Sequence, residues 1–288
     1  MIRQSSSQVT QSKPAVIVFS NQKGGVGKTT CTREISIWLA SKGNKTLIID
    51  TDPQANLSKS LVDPVSSTGQ VYPGFGLYEA ITGLDYEPEE VKPNLWLLSG
   101  NVKLASLEKQ LVAELDAYTR MRDLLLEERF YDFDFILIDS PPSLGVLTVN
   151  ALTASDFLII PMNPSLYSMQ GTNDLMATVS KVRKNYNPNL SLLGVIINAF
   201  DSIPSITRQI KKEIEETFKS KVFKTAISKS IQIEEAIASK KGVTSRKTKV
   251  SEEIKAIGKE MMIRSRYLLT EACPELVERV SPDDLEKL

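Results

Sequence analysis

The sequence predicts an α/β fold, in which a mostly parallel, twisted sheet carries helices on both faces. Short apolar runs rich in β-branched residues alternate with segments of helical periodicity along the 288 residues. The runs are apolar throughout, as expected of strands that are buried on both faces. The first strand, helix and strand follow one another directly, and this order predicts a right-handed parallel crossover.

The predicted strands are residues 16–19, 46–49, 95–98, 133–138, 157–160 and 192–197, and Pro161 is expected to close the fifth. Helical spacing predicts helices over residues 30–41, 77–81, 170–184, 205–218, 233–239 and 251–270, and two helices within 103–129. Residues 58–76 contain several prolines and glycines and are predicted to be an irregular surface segment. In such sheets ligands bind beyond the carboxyl ends of the strands, and the polar motifs of this sequence lie there.

A glycine-rich loop follows the first strand and precedes the first helix. Its residues are Lys23, Gly24, Gly25, Val26, Gly27, Lys28, Thr29 and Thr30. Glycines let the backbone fold closely around an anion, and a helix N-terminus favours negative charge. Lys28 is placed to reach the β- and γ-phosphates of a nucleotide, and the Thr29 hydroxyl to ligate Mg²⁺. The loop therefore predicts a nucleotide site, although Gln22 stands where the strict Walker pattern has its first glycine.

Carboxylates follow two further strands. Asp139 comes after the run Phe-Ile-Leu-Ile, and in nucleotide hydrolases a carboxylate in this position helps to hold Mg²⁺. Asp50 and Asp52 end the second strand. A carboxylate beyond the strand end can orient the water that attacks the γ-phosphate.

Three strings together resemble the deviant Walker A ATPases of the ParA/MinD family. They are K-G-G-V-G-K-T at 23–29, D-T-D-P-Q at 50–54 and I-D-S-P-P at 138–142. The D-P-Q-x-N string at 52–56 and the chain length are most similar to ParA/Soj-type partition ATPases. The resemblance covers the chain from about residue 15 to the last helix, and it implies a P-loop NTPase fold with ATP and Mg²⁺ as cofactors.

The resemblance also implies roles for individual residues. The catalytic residues are expected to be Lys28, Asp52, which orients the attacking water, and Lys23, which reaches across a homodimer to the nucleotide of the other subunit. The metal site is expected to include Thr29, Asp139 and Asp50. Asn198, after the last strand, is expected to contact adenine, and Pro161 is a weaker candidate for the same pocket.

The charge of the chain is unevenly distributed. Lysine plus arginine and aspartate plus glutamate both number 35, yet residues 201–266 hold 16 basic against nine acidic residues. A basic face of this kind predicts binding to a polyanion such as double-stranded DNA through phosphate contacts, without sequence preference. The candidate DNA-binding residues are Arg208, Lys211, Lys212, Lys224, Lys229, Lys240, Lys241, Arg246 and Lys247.

One departure leaves the individual DNA contacts open. Several ParA-type proteins carry a P-R-N-V-R-L-S-E-A-like string, and the matching stretch here is 227–236. Lys229 keeps a positive charge at the first arginine of that string, whereas Gln232 replaces the second.

Composition excludes several other chemistries. The chain has no histidine, which excludes Ser-His-Asp and Cys-His catalysis and histidine-ligated metal sites. Its two cysteines, Cys31 and Cys273, form no C-x-x-C pair, which argues against a metal-cluster relative. Residues 1–14 are predicted to be a flexible tail, and residues 15–288 a single ATPase domain with a basic helical C-terminal third.

These observations predict an ATP-dependent DNA partition ATPase that is cytoplasmic and nucleoid-associated. Its ATP-bound dimer is expected to bind DNA, and a ParB-like centromere-binding protein to stimulate hydrolysis. A MinD-like membrane ATPase is an alternative, but it needs a basic amphipathic helix at the C-terminus. The end of this sequence, 281–288, is acidic and contains a proline, so no membrane partner is expected. A scaffold that binds nucleotide without hydrolysing it is the other alternative.

Overall fold

The structure, a computed structural model, describes residues 13–62, 76–165, 168–199, 201 and 205–272. The strands in this part of the chain are β1 (Ala15–Phe19), β2 (Thr46–Asp50), β3 (Glu89–Lys92), β4 (Leu95–Leu98), β5 (Phe135–Asp139), β6 (Phe157–Met162) and β7 (Ser191–Ile197). They form one sheet in the order β3-β4-β2-β5-β1-β6-β7. All neighbouring strands are parallel except β3 and β4, which are antiparallel.

Helices connect the strands and cover the sheet. Those in the described residues are α1 (Lys28–Ser41), α2 (Asn56–Leu61), α3 (Leu77–Thr82), α4 (Lys103–Leu111), α5 (Arg120–Leu124), α6 (Val146–Ala154), α7 (Ser168–Asn185), α8 (Ser205–Phe218), α9 (Ile231–Ala238) and α10 (Lys249–Ala272). Short 3₁₀ helices span Glu128–Asp132, Lys219–Lys221 and Val243–Ser245.

The sheet separates two apolar cores because alternate side chains of each strand point to opposite faces. Val16 and Val18 of β1 lie in the core formed with α3 to α8. Ile17 and Phe19 lie in the core formed with α1, α9 and α10. A smaller cluster packs α2 against α1, β2 and β4. The phosphate-loop helix α1 therefore shares a face of the sheet with α9 and α10, whereas α8 packs on the opposite face.

The predicted fold class is confirmed, and each predicted strand and helix is present with ends shifted by a few residues. Pro161 does not close its strand, which continues to Met162. A proline is tolerated there because β6 pairs with β1 only as far as Ile159, so beyond that residue one side of β6 has no ladder partner.

Three elements were not predicted. Helix α2 occupies the first part of the segment expected to be irregular, and the rest of that segment, 63–75, lies outside the described residues. Strand β3 is polar and lies at the sheet edge, and α6 is buried on most sides, so neither shows the periodicity of its class.

The predicted tail, apart from residues 13 and 14, and the end of the chain from residue 273 also lie outside the described residues. None of the described helices is long and apolar enough to span a membrane.

Candidate nucleotide site

Three strands bring the predicted site residues to one edge of the sheet. In the register of the ladders, Asp139 of β5 lies beside Phe19 of β1 and beside Asp50 of β2. The glycine-rich loop follows Phe19 directly and ends at α1. The loop and the two carboxylates are thus adjacent because their strands are neighbours, as expected at the carboxyl edge of a parallel sheet.

The loop needs glycine at its junction with the helix. Gly27 is the N-cap of α1 and has a φ of 94°, in the left-handed region that favours glycine. A Cβ at Gly27 would overlap the side-chain amide of Asn198. Gly25, with a φ of 71°, has the same backbone preference. The loop can therefore close tightly only with these residues.

Asparagines from two later strands hold the loop in this shape. Asn198 Nδ2, which follows β7, donates to the carbonyl of Val26 at 2.9 Å. Asn163 Nδ2, which follows β6, donates to the carbonyl of Gly25 at 3.0 Å. Asn21 Nδ2 donates to the carbonyl of Pro161 at 2.8 Å. Asn198 is thus a backbone support of the loop in this structure, and its contact with adenine stays a prediction, as does a role for Pro161.

An open pocket of about 320 Å³ lies over the loop. The lining residues are Gly24, Gly25, Gly27, Lys28, Thr29, Thr30, Asp52, Asn56 and Pro142. Lys28 is only 6% exposed, and its Nζ donates to the carbonyl of Lys23 at 3.3 Å. Burial lowers the pKa of Lys28, while the Asp139 and Asp52 carboxylates oppose this shift.

The Thr29 and Asp139 pair fits a magnesium ion. Thr29 Oγ1 donates to Asp139 Oδ2 at 2.6 Å, while Asp139 Oδ1 is buried and has no hydrogen-bond partner among the described residues. Burial and, next, the Asp50 carboxylate raise the pKa of Asp139 well above its ordinary value. A hydroxyl and an orphaned carboxylate oxygen beside a phosphate pocket are the oxygen ligands that Mg²⁺ takes alongside nucleotide phosphates.

The two carboxylates after β2 have different surroundings. Asp50 is fully buried: its Oδ2 accepts from the N–H and the hydroxyl of Ser58, and its Oδ1 accepts from the N–H of Asp52. Burial raises the pKa of Asp50 to about 6, against the effect of these hydrogen bonds. Since both oxygens already have protein donors, the structure gives Asp50 other partners than the predicted metal.

Asp52 lines the pocket instead. Its Oδ1 accepts from the N–H of Gln54 at 2.9 Å, and its Oδ2 has no hydrogen-bond partner in the described part of the chain. One carboxylate oxygen therefore remains available to a water molecule in the pocket.

Lys23 is bonded outside the lining of the described pocket. Its Nζ donates to Ser165 Oγ at 2.6 Å, in the segment after β6. The backbone N–H of Lys23 donates to Asn21 Oδ1, which fixes the start of the loop. The ammonium group is thus held by Ser165, and Lys23 is not among the described residues that line the pocket.

The candidate DNA-binding residues divide into three groups. Acidic neighbours pair with some of them: Lys211 with Glu215 at 2.6 Å, Lys212 with Glu216 at 3.5 Å and Arg246 with Glu235 at 2.7 Å. Three exposed candidate lysines form no ion pair with any described residue: Lys229, just before α9, and Lys241 and Lys247, between α9 and α10. The side chains of Arg208, Lys224 and Lys240 are exposed or partly exposed.

Comparisons with known proteins agree with this site. A family model described as an AAA domain matches residues 14–192. The chromosome partitioning protein ParA of Myxococcus xanthus is 34% identical over 252 residues, which cover 86% of this chain and 88% of that protein. The sporulation initiation inhibitor protein Soj of Bacillus subtilis is 34% identical over 221 residues, which cover 77% of this chain and 87% of Soj.

A solved structure shares the fold at similar coverage. The putative plasmid partition protein of Borrelia burgdorferi, bound to AMPPNP, superposes with a TM-score of 0.76 at 26% identity and covers 87% of this chain and 99% of its own. The strand-end carboxylates, the glycine loop and these relatives lead to one conclusion. The chain belongs to the ParA/Soj family of partition ATPases.

Proposed function

We propose that this protein is a DNA segregation ATPase whose ATP-bound homodimer binds double-stranded DNA without sequence preference. A ParB-like centromere-binding partner stimulates hydrolysis and thereby releases the dimer from DNA. The observation that carries the proposal is a pocket that combines a phosphate loop, the Thr29–Asp139 pair and a carboxylate with a free oxygen, Asp52. The names of the partition relatives support the same function.

ATP binding depends on the loop. Residues 24, 25 and 27–30 line the pocket at the N-terminus of α1, where backbone N–H groups and the helix dipole favour the phosphates. Lys28 supplies the positive charge for the β- and γ-phosphates. Thr29 and Asp139 hold Mg²⁺, which neutralises charge on the phosphate oxygens when it is bound.

Two further residues act on the γ-phosphate. Asp52 orients the attacking water through its free Oδ2. Lys23, which is bonded to Ser165 and does not line its own pocket, contacts the γ-phosphate of the partner protomer. This second role makes the dimer part of the catalytic site, so hydrolysis and dimerisation depend on one another.

Replacing Lys28 by alanine is expected to weaken ATP binding by about 100-fold or more, the equivalent of two charge-assisted hydrogen bonds. Isothermal titration calorimetry with a non-hydrolysable ATP analogue and Mg²⁺ measures the change. Lys42→Ala, at the exposed far end of α1, is the matched control and should bind nucleotide like the unmodified protein. Unchanged ATP affinity in a folded Lys28→Ala variant would show that Lys28 does not bind the phosphates.

The DNA surface is formed by the basic residues around α9. The exposed lysines Lys229, Lys241 and Lys247 flank this helix, and the two protomers of a dimer present six of them. Six phosphate contacts predict that DNA affinity falls by about 10³-fold between about 50 and about 200 mM salt.

DNA co-sedimentation with ATP, with ADP and without nucleotide, at these two salt concentrations, tests the function. We expect tight binding only with ATP and Mg²⁺, and a steep loss with salt. Lys241→Ala should reduce the salt dependence, whereas Lys109→Ala, an exposed lysine of α4 on the other side of the sheet, should not. Equal DNA binding with and without ATP would rule out a nucleotide-dependent partition function.

The same samples separate the alternatives. A partition ATPase that is cytoplasmic and nucleoid-associated should release phosphate faster when DNA and its centromere-binding partner are both added. A nucleotide-dependent scaffold should bind ATP and DNA without releasing phosphate. A MinD-like protein should bind anionic lipid vesicles in the presence of ATP, whereas this protein is expected to stay in solution.

A further inference from the structure

A charged pair is buried in the middle of the phosphate-loop helix. Arg33 and Glu34 of α1 are both 0% exposed, and their side chains form an ion pair. Burial lowers the pKa of Arg33 and raises that of Glu34, and in each case the partner charge opposes the shift. A buried ion pair is weak evidence for stability, because apolar residues of similar volume often do as well. Stability alone therefore does not account for the pair, and the segments that it contacts indicate its role.

Arg33 holds two separate parts of the chain at once. Its Nη2 donates to the carbonyl of Ser60, at the end of α2, at 3.3 Å, and to the carbonyl of Lys241, after α9, at 3.1 Å. Glu34 accepts from the N–H of Val243 at 2.8 Å. One guanidinium nitrogen is thus shared between α2 and the segment that carries the basic residues.

The other end of α2 lies at the nucleotide pocket. Asn56, the first residue of this six-residue helix, lines the pocket next to Asp52. Ser58 donates twice to Asp50, at the end of β2. A displacement of the loop around Asp52 on nucleotide binding would therefore be passed along a single short helix to the carbonyl of Ser60.

The segment on the far side of Arg33 presents the lysines. We call residues 239–248, between α9 and α10, the basic loop; it contains Lys240, Lys241, Arg246 and Lys247. Lys240 has a φ of 53°, a conformation that disfavours residues other than glycine, and Lys92 Nζ donates to its carbonyl at 2.7 Å. Lys92 of β3 thus holds the carbonyl of Lys240, and Arg33 of α1 holds the carbonyl of the next residue, Lys241.

The packing around the basic loop is close as well as polar. A Cβ on Gly242 would lie 2.5 Å from Ile37 Cγ2, so the loop approaches α1 as only glycine allows. Arg33 Nε has no acceptor among the described residues. The guanidinium therefore keeps its position through its ion pair, its bonds to Ser60 and Lys241 and a long bond of 3.5 Å to the carbonyl of Ala236, and not through full hydrogen bonding.

We propose that Arg33 is a positioning residue that couples the nucleotide pocket, through α2, to the basic loop, so that the affinity for DNA depends on the bound nucleotide. Movement of Ser60 with α2 shifts the guanidinium, and the carbonyl of Lys241 moves with it. Lys241 and Lys247 are thereby presented differently in the ATP and ADP states. The inference rests on the proposed ATP-dependent DNA binding, and it names the residue that connects the nucleotide pocket to the basic loop.

The test is Arg33→Lys, which keeps the charge beside Glu34 but removes the fork that spans two carbonyls. The readout is the ratio of DNA dissociation constants with ADP and with a non-hydrolysable ATP analogue. We expect this ratio to fall by about tenfold, the equivalent of one hydrogen bond to a charged group. ATP affinity, measured by calorimetry, should not change.

Arg264→Lys is the matched control. Arg264 also pairs with a glutamate, Glu260, and holds the carbonyls of Leu193, Lys221 and Val222, but none of these bonds reaches α2. Losing the guanidinium fork at Arg264 should leave the ratio of DNA dissociation constants as it is in the unmodified protein. A fall of equal size in Arg264→Lys would overturn the proposal, since the effect would then reflect general loosening.

A second variant guards against a folding defect. Arg33→Met with Glu34→Gln removes both charges together and keeps an acceptor for Val243, and such paired replacements are often neutral for stability. A folded double variant with a reduced ratio supports the coupling, and one with an unchanged ratio refutes it. If the unmodified protein itself shows no difference between ATP and ADP, the proposed function fails, and this outcome is distinct from an unchanged ratio in the variants alone.

Discussion

Replacing Lys23 by glutamine should lower the rate of ATP hydrolysis by about 10³-fold, the lower end of the range for a cation supplied to a γ-phosphate by a partner. Lys23 is held by Ser165 and does not line the described pocket of its own chain. In the proposed face-to-face dimer we expect this ammonium to reach the opposite nucleotide. The variant should therefore also fail to dimerise on addition of ATP.

Phosphate release and sedimentation velocity, with and without ATP and Mg²⁺, measure the two effects. Lys42→Gln is the matched control, because Lys42 is an exposed lysine at the other end of α1. Nucleotide affinity of the Lys23→Gln monomer should stay within a few-fold of normal, since Lys28 still faces the phosphates. An intact ATP-dependent dimer in Lys23→Gln would show that this lysine does not act across the interface.

The sequence predicted which residues meet at the carboxyl edge of the sheet because its signals are local. The glycine loop, Asp52 and Asp139 each follow a short apolar run, and parallel pairing necessarily brings the ends of such runs together. Asp50 and Asp52 both lie at the end of the second strand. This position alone does not show which of the two carboxylates faces the ligand. That choice depends on Ser58, whose hydroxyl and N–H draw Asp50 inward.

The parts that could not be predicted depend on contacts between distant segments. Asn163 and Asn198 support the glycine loop, although they lie 138 and 172 positions further along the chain than the loop residues that they bond. Nothing in their local sequence indicates this. Arg33 and Glu34 are charged residues within a helix and would ordinarily be assigned to a solvated face. They are buried because the basic loop, 208 residues beyond Arg33, packs over them.

Replacing Asp52 by asparagine should separate ATP binding from hydrolysis. The asparagine keeps an oxygen that accepts from Gln54, so the turn after β2 is preserved, but the negative charge that orients water is lost. Losing a positioned general base or water-orienting group costs about 10² to 10⁴ in rate. We therefore expect hydrolysis at least about 100-fold slower, with ATP affinity and ATP-dependent dimerisation retained.

The retained dimer makes this variant a test of the whole cycle as well as of one residue. If hydrolysis is the event that opens the dimer, Asp52→Asn should stay on DNA after the centromere-binding partner is added, whereas the unmodified protein is released. Asp85→Asn, an exposed carboxylate in the segment between α3 and β3, is the matched control and should be released normally. Normal turnover in Asp52→Asn would move the water-orienting role to another group, and release without turnover would separate DNA binding from hydrolysis. Since Lys23→Gln should fail before the dimer forms and Asp52→Asn after it, the two variants stop the cycle on either side of the same closed state.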